Sequence, residues 1–136
     1  MHKVTVDRSN AMVCMVASGF FSIEQMEAAA ADLHTAIRSL GPRAGQHLTL
    51  YDYTDVKVVA GPVLERFARY FSDDDMQPLQ ARRVAFVSVS ALLGRQLQRI
   101  RRDHMRIFAD RQEATAWLLS DEDRRRTISQ PTAASG

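Results

Sequence analysis

The chain holds one cysteine, Cys14, which excludes an intramolecular disulfide and gives no sign of an oxidising compartment. No apolar run approaches the ~18 residues of a membrane span. The first ten residues, MHKVTVDRSN, also lack the apolar core of a signal peptide, so a cytoplasmic location is the expectation. Lysine is scarce: Lys3 and Lys57 stand against sixteen arginines, yet the formal net charge is only +2. A balance that small does not point to nucleic acid. Catalytic signatures are missing too: no H-E-x-x-H, no G-x-G-x-x-G after a strand, no G-x-x-x-x-G-K and no G-x-S-x-G. Neither a cofactor nor a metal site is indicated, and the chain is expected not to be an enzyme.

What is present describes one α/β domain. At 136 residues, with 46% apolar and 25% charged side chains, the chain is long enough for one real core and too short for two. Val4 and Val6 alternate with polar neighbours, Arg8-Ser9-Asn10 supplies a turn, and AMVCMVAS follows as a more central second strand. Cys14 lies within that run and reads as a small buried hydrophobe, because no cation stands beside it in sequence. Ser22 precedes Ile23, Met26, Ala30, Leu33, Ile37 and Leu40, spaced as one face of a helix. Gln25 completes a capping box, and Gly41-Pro42 supplies the stop. His34 on this helix has no indicated partner and reads as structural or solvated.

LTLYD predicts a third strand, and Gly61-Pro62 opens a second helix with Leu64, Phe67, Ala68 and Phe71 as its apolar stripe. Asp73 to Asp75 read as a solvated loop and are weak as a calcium site. Val84 to Val87 suit a strand buried on both faces. Ser90 can cap a third helix with Leu93, Leu97 and Ile100 inward and Arg95, Gln96, Arg99 and Arg102 outward. Met105 to Ala109 make a short strand, and Asp110 with Glu113 caps a last helix carrying Ala114, Trp117 and Leu118. The order β-β-α-β-α-β-α-β-α implies a single mixed sheet with right-handed crossovers over residues 1–120. Residues 121–136 read as a polar tail, in which Arg124 to Arg126 precede Thr127 and Ser129.

Two stretches could carry function. Tyr51-Asp52-Tyr53-Thr54-Asp55 ends the third strand, at the sheet edge where open α/β folds bind ligands. Asp and Thr there either shape the turn or recognise a partner. Gly61 and the loop before it, with Ser88 and Ser90 from the fourth strand, should share this edge. His47 and Asp52, five residues apart, fall on opposite strand faces and cannot form a dyad. The second stretch is residues 81–106, where seven arginines oppose Asp103 alone for a local balance of +6. It fits a solvated face, a protein partner or, least well without interleaved aromatics, nucleic acid or lipid.

The element order, HLTLYD followed by a loop and helix, ARRVAFVS, and RIFADRQEATAWLL together resemble the STAS domains, in particular their bacterial SpoIIAA-like branch, over about residues 2 to 119. The resemblance implies a mixed sheet with helices mainly on one side and a regulatory role exercised through protein contact; the expectation is a domain that binds a protein partner, a homodimer being one form of that contact. Anti-sigma-factor antagonists of this group carry a phosphorylated hydroxyl in a D-S-S-G or D-S-T-G motif opening the helix after the third strand. The corresponding place here reads Ala60-Gly61-Pro62-Val63, without an acceptor, and Thr54 lies too early to replace it. Fold similarity to lipid-carrier domains, with the many Met and Phe residues, makes a carrier or sensor of a small apolar or lipid-like ligand the alternative function.

Overall fold

The computed structural model describes residues 1–20, 22–72 and 80–120; the acidic triplet at 73–75 and the polar tail lie outside the described residues. Five strands form one mixed sheet in the order β1-β2-β3-β4-β5: β1 His2–Asp7, β2 Met12–Ser18, β3 Leu48–Asp55, β4 Arg83–Val87 and β5 Met105–Phe108. Strand β1 pairs antiparallel with β2, and every later neighbour is parallel. The hairpin turn is held by Asp7, whose carboxylate accepts from the Ser9 hydroxyl at 2.9 Å and the Asn10 amide group at 2.7 Å.

Strand β3 is longer than LTLYD. Pairing with β2 continues to Ser18 opposite Asp55, through an irregularity between Val16 and Ser18, so Tyr53, Thr54 and Asp55 extend the strand. The pleat then sorts its side chains. Tyr51 and Tyr53 join Val13, Met15, Ala17, Val84 and Phe86 on one face. Leu48 and Leu50 join Cys14, Ala85 and Val87 on the other.

Helices α1 Ile23–Arg38, α2 Gly61–Ser72 and α3 Ala91–Ile100 cover the first face, and α4 Arg111–Leu119 alone covers the second. Three helices on one side is the arrangement that the family resemblance implied. The α1 capping box is present in both directions, with the Gln25 amide donating to Ser22 Oγ and the Ser22 amide donating to Gln25 Oε1. Asp110 caps α4 through the Gln112 amide. On the first face the rings gather around Phe86: Tyr51 stacks on it at 4.8 Å, and Phe71 meets it edge-on at 5.9 Å. Such ring pairs add ~0.5–1.5 kcal/mol each beyond the area they bury.

Arg83 corrects the reading of residues 81–106 as one outward basic face. It is only 3% exposed. As an odd-numbered β4 residue it faces α4, where its guanidinium donates to the Trp117 carbonyl at 2.7 Å and to Ser120 Oγ at 2.8 Å. A cation at the carbonyl end of a helix is favoured by the helix dipole. Arg83 and Arg106 each lie 5.2 Å from the centre of the Trp117 ring.

His47, just ahead of β3, is fully buried, with Nδ1 accepting from the Gly45 amide. Burial lowers its pKa from 6.5 to about 4. In the unfolded chain it titrates near 6.5, so between these values the unfolded state binds more protons. Its contribution is complete above pH 6.5 and lost as pH falls to about 4, a swing of about 3 kcal/mol. Denaturant unfolding followed across that window should show stability rising with pH, and His47→Leu should flatten much of the slope.

Candidate functional site

The carboxyl edge of the sheet collects the ends of β2, β3, β4 and β5 and the N-termini of all four helices, because these strands run parallel and each leads directly into a helix. Gly19, with φ of +79°, turns the chain sharply after β2 while its amide donates to the Asp55 carbonyl at 3.1 Å. This ties the exit of β2 to the end of β3 and leaves Phe20 outside, 65% exposed.

The segment 56–60 between β3 and α2 is fixed by side chains of α3 and its cap. Gln96 grips the Val59 backbone from both sides, accepting from its amide at 3.0 Å and donating to its carbonyl at 2.8 Å. The Ser90 hydroxyl donates to the Lys57 carbonyl and accepts from the Leu93 amide, so one oxygen caps α3 and holds the neighbouring loop. Ser88 donates to the Ser90 carbonyl at 3.3 Å. Val56, Val59 and Val63 anchor the segment in the core.

The predicted recognition residues therefore divide. Thr54 and Asp55 are exposed, and Gly61 and Ser90 stand beside them at the edge, whereas Ser88, just past the end of β4, is buried. Tyr51 and Tyr53 do not reach it; both rings are buried on the α1–α3 side. Asp52 points to the opposite face, where Oδ1 accepts from the Thr54 hydroxyl at 2.6 Å and its amide at 3.1 Å, and Oδ2 accepts from Arg111 at 3.0 Å. Burial pulls the Asp52 pKa upward, but these bonds and the Arg111 charge outweigh it and hold the carboxyl below its usual value. His47 is not its partner, in keeping with the strand parity.

Arg111 also reaches Cys14 Sγ at 3.3 Å, supplying from α4 the cation that is absent beside Cys14 in sequence. Burial nevertheless pushes the thiol's pKa up, with Arg111 pulling less strongly the other way. The buried-hydrophobe reading of Cys14 fits that environment. Among the described residues no group of three or more His, Cys, Asp or Glu side chains is placed to hold a metal ion. No helix among them is long and apolar enough to cross a membrane.

Sequence reasoning missed three features of the edge. Gln96, expected to face outward, is the clamp, and its partner Val59 is 37 positions away. Val89 and Leu92, exposed by 62% and 53%, flank Ser90. The signal for these two was their place in VSVSALL, where apolar residues continue past the buried strand into the cap.

Among solved structures the chain is similar to an uncharacterised protein of the DUF3478 family, with a SpoIIAA-like fold, from Shewanella loihica. The likeness has 18% identity and a TM-score of 0.62, covering 86% of this chain and 93% of that one. No protein-family model matches the chain, and no curated protein matches it. The chain thus has a SpoIIAA-like α/β fold.

The two-bond clamp yields a direct expectation. Gln96→Ala should cost about 1–3 kcal/mol, the worth of two hydrogen bonds to a part-buried backbone. In hydrogen exchange the Val59 amide, which donates to Gln96, should speed up far more than amides of β3.

Proposed function

We propose that this is a non-enzymatic protein-interaction domain of STAS-like type, with regulation of a partner as its role. Docking takes place at the carboxyl edge formed by Thr54, Asp55, the 56–60 loop, Gly61 and Ser90, with Ser88 buried beneath it. The observation that carries this reading is the trio Phe20, Val89 and Leu92, the first at the end of β2 and the others beyond β4, on either side of the β3 exit. Large apolar side chains exposed around a firmly held loop, with the exposed polar residues Thr54, Asp55 and Lys57 beside them, are the composition of an interface centre with a polar rim. The loop is pre-ordered by Gln96 and Ser90, so binding costs little conformational entropy there.

The domain works without the family's switch at this helix. From Val56 to Val63 the chain contains no hydroxyl, and α2 opens on Gly61 and Pro62. The nearest hydroxyls are engaged, Thr54 with Asp52 and Ser90 with Lys57 and Leu93. Control of the interaction then rests with the partner or with its concentration. The occupant of the edge is a protein, a second copy of this chain being the alternative.

Site-specific photocrosslinking in the source cell tests the reading. A crosslinker at Val89 or Leu92 should give one discrete protein adduct, and the same group at exposed Gln46, on the opposite end of the sheet, should not. Equal adducts from all three positions, or none from the edge, would refute it.

A further inference from the structure

Beneath the helices, α1 and α2 do not close completely over the first face of the sheet. They leave a cavity of about 50 Å³, separate from the carboxyl edge. That is space for about four waters, or for one six-membered ring with a small substituent. Much of its wall is apolar, with Met15, Met26, Leu33 and Phe71 among its members, and Ala29 and Ala30 keep the α1 side low.

The wall also carries polar side chains, among them Thr49 and Tyr51 from β3, His34 from α1 and Tyr70 from α2, with His2, Gln25 and Gln80 farther round. Thr49 and Tyr51 are both buried and, being two apart on a strand, point the same way. Among the described residues neither hydroxyl is hydrogen-bonded to a protein group. Buried polar groups in native proteins almost always have partners, and two that open together onto one cavity share the place where a partner would sit. His34 meets Tyr70 edge-on at 5.6 Å, completing the polar side.

The charge of the ligand follows from the lining. No lysine, arginine or carboxylate lines the cavity among the described residues, and His2, which does, has its Nε2 engaged by the Asp32 carboxylate at 2.6 Å. The Met1 ammonium, at its rim, donates to the Ser18 carbonyl at 3.2 Å. Burial, and after it the Arg38 charge, lowers the His34 pKa and so favours the uncharged ring. An ionised ligand would lose its water here without gaining a counter-charge.

From the paired, unpartnered hydroxyls of Thr49 and Tyr51 in a mainly apolar part of the wall, we infer that the cavity binds a small neutral molecule with a single ring and one hydroxyl or carbonyl group, hydrogen-bonded to both. This narrows the carrier or sensor alternative to a ligand of one-ring size, too small for a lipid chain. It does not depend on the protein-docking reading, although α2 connects the two places: Gly61 opens it at the edge, and Phe67, Tyr70 and Phe71 line the cavity.

Phenol and toluene, nearly equal in size and differing in the hydroxyl, are suitable probes for amide chemical-shift titration of the full chain. Phenol should saturate shifts at residues 26–34, 49–51 and 67–71 and bind at least threefold tighter than toluene. Thr49→Val and Tyr51→Phe keep the shape and should each weaken phenol roughly three- to tenfold while leaving toluene unchanged. Ala30→Leu, with its fold checked by thermal melting, should abolish binding of both. Absence of saturable shifts at these residues with either probe would overturn the inference. So would a phenol affinity that is the same in the parent and in both hydroxyl-deleted variants.

Discussion

Strand β3 lies between two parallel neighbours and is covered on both faces, so the direction of each of its side chains is set by the pleat. A one-residue slip would exchange the faces, putting Tyr51 and Tyr53 against α4 and turning Leu50 toward the ring cluster. The aromatic packing around Phe86 and the smaller core under α4 hold that register from opposite sides. The same register places Asp52 where Arg111 can reach it and brings Asp55 to the surface as the chain leaves the sheet. It also sets where the 56–60 loop begins, and Gln96 and Ser90 then determine the path that loop takes to α2.

The edge and the cavity are consequently two products of one strand. Thr49 and Tyr51 face the cavity, while Thr54 and Asp55, past the last buried position, face solvent. A domain of this size commonly spends its polar groups on turns and caps; here Ser90 does that and also joins two loops. The arginines are similarly divided. Arg83 is interior and serves the end of α4, Arg106 lies over Trp117, and Arg101 donates to the Met105 carbonyl at 3.3 Å. Three of the seven arginines that read in sequence as one basic surface thus contact β5 or α4, and the apolar trio at the carboxyl edge is the stronger mark of a partner.

Features determined by neighbours in sequence were legible without coordinates. The α1 capping box needs only Ser22 and Gln25, the α1 stripe needs only its spacing, and the burial of β4 shows as an unbroken apolar run. Features determined by distant partners were not. Tyr53, Thr54 and Asp55 have the composition of a loop, and only pairing with β2, more than thirty positions earlier, makes them strand. Gln96 looks like any outward polar residue of a helix until Val59 is beside it, and Arg83 looks like its arginine neighbours until the end of α4 is placed over it. Parity reasoning succeeded for His47 and Asp52 because it concerns directions within one strand. The same parity, applied to Tyr51 and Tyr53 had the strand been extended, would have moved both rings from the edge to the core.

The central claim is that partners meet the carboxyl edge and leave the arginine-bearing surface of α3 free. Hydrogen–deuterium exchange of the chain alone and in complex with the protein captured from its source cell measures this directly. Protection confined to peptides spanning 18–20, 54–61 and 88–92 is the predicted result. Protection concentrated at 95–106, with the edge unchanged, would contradict the account.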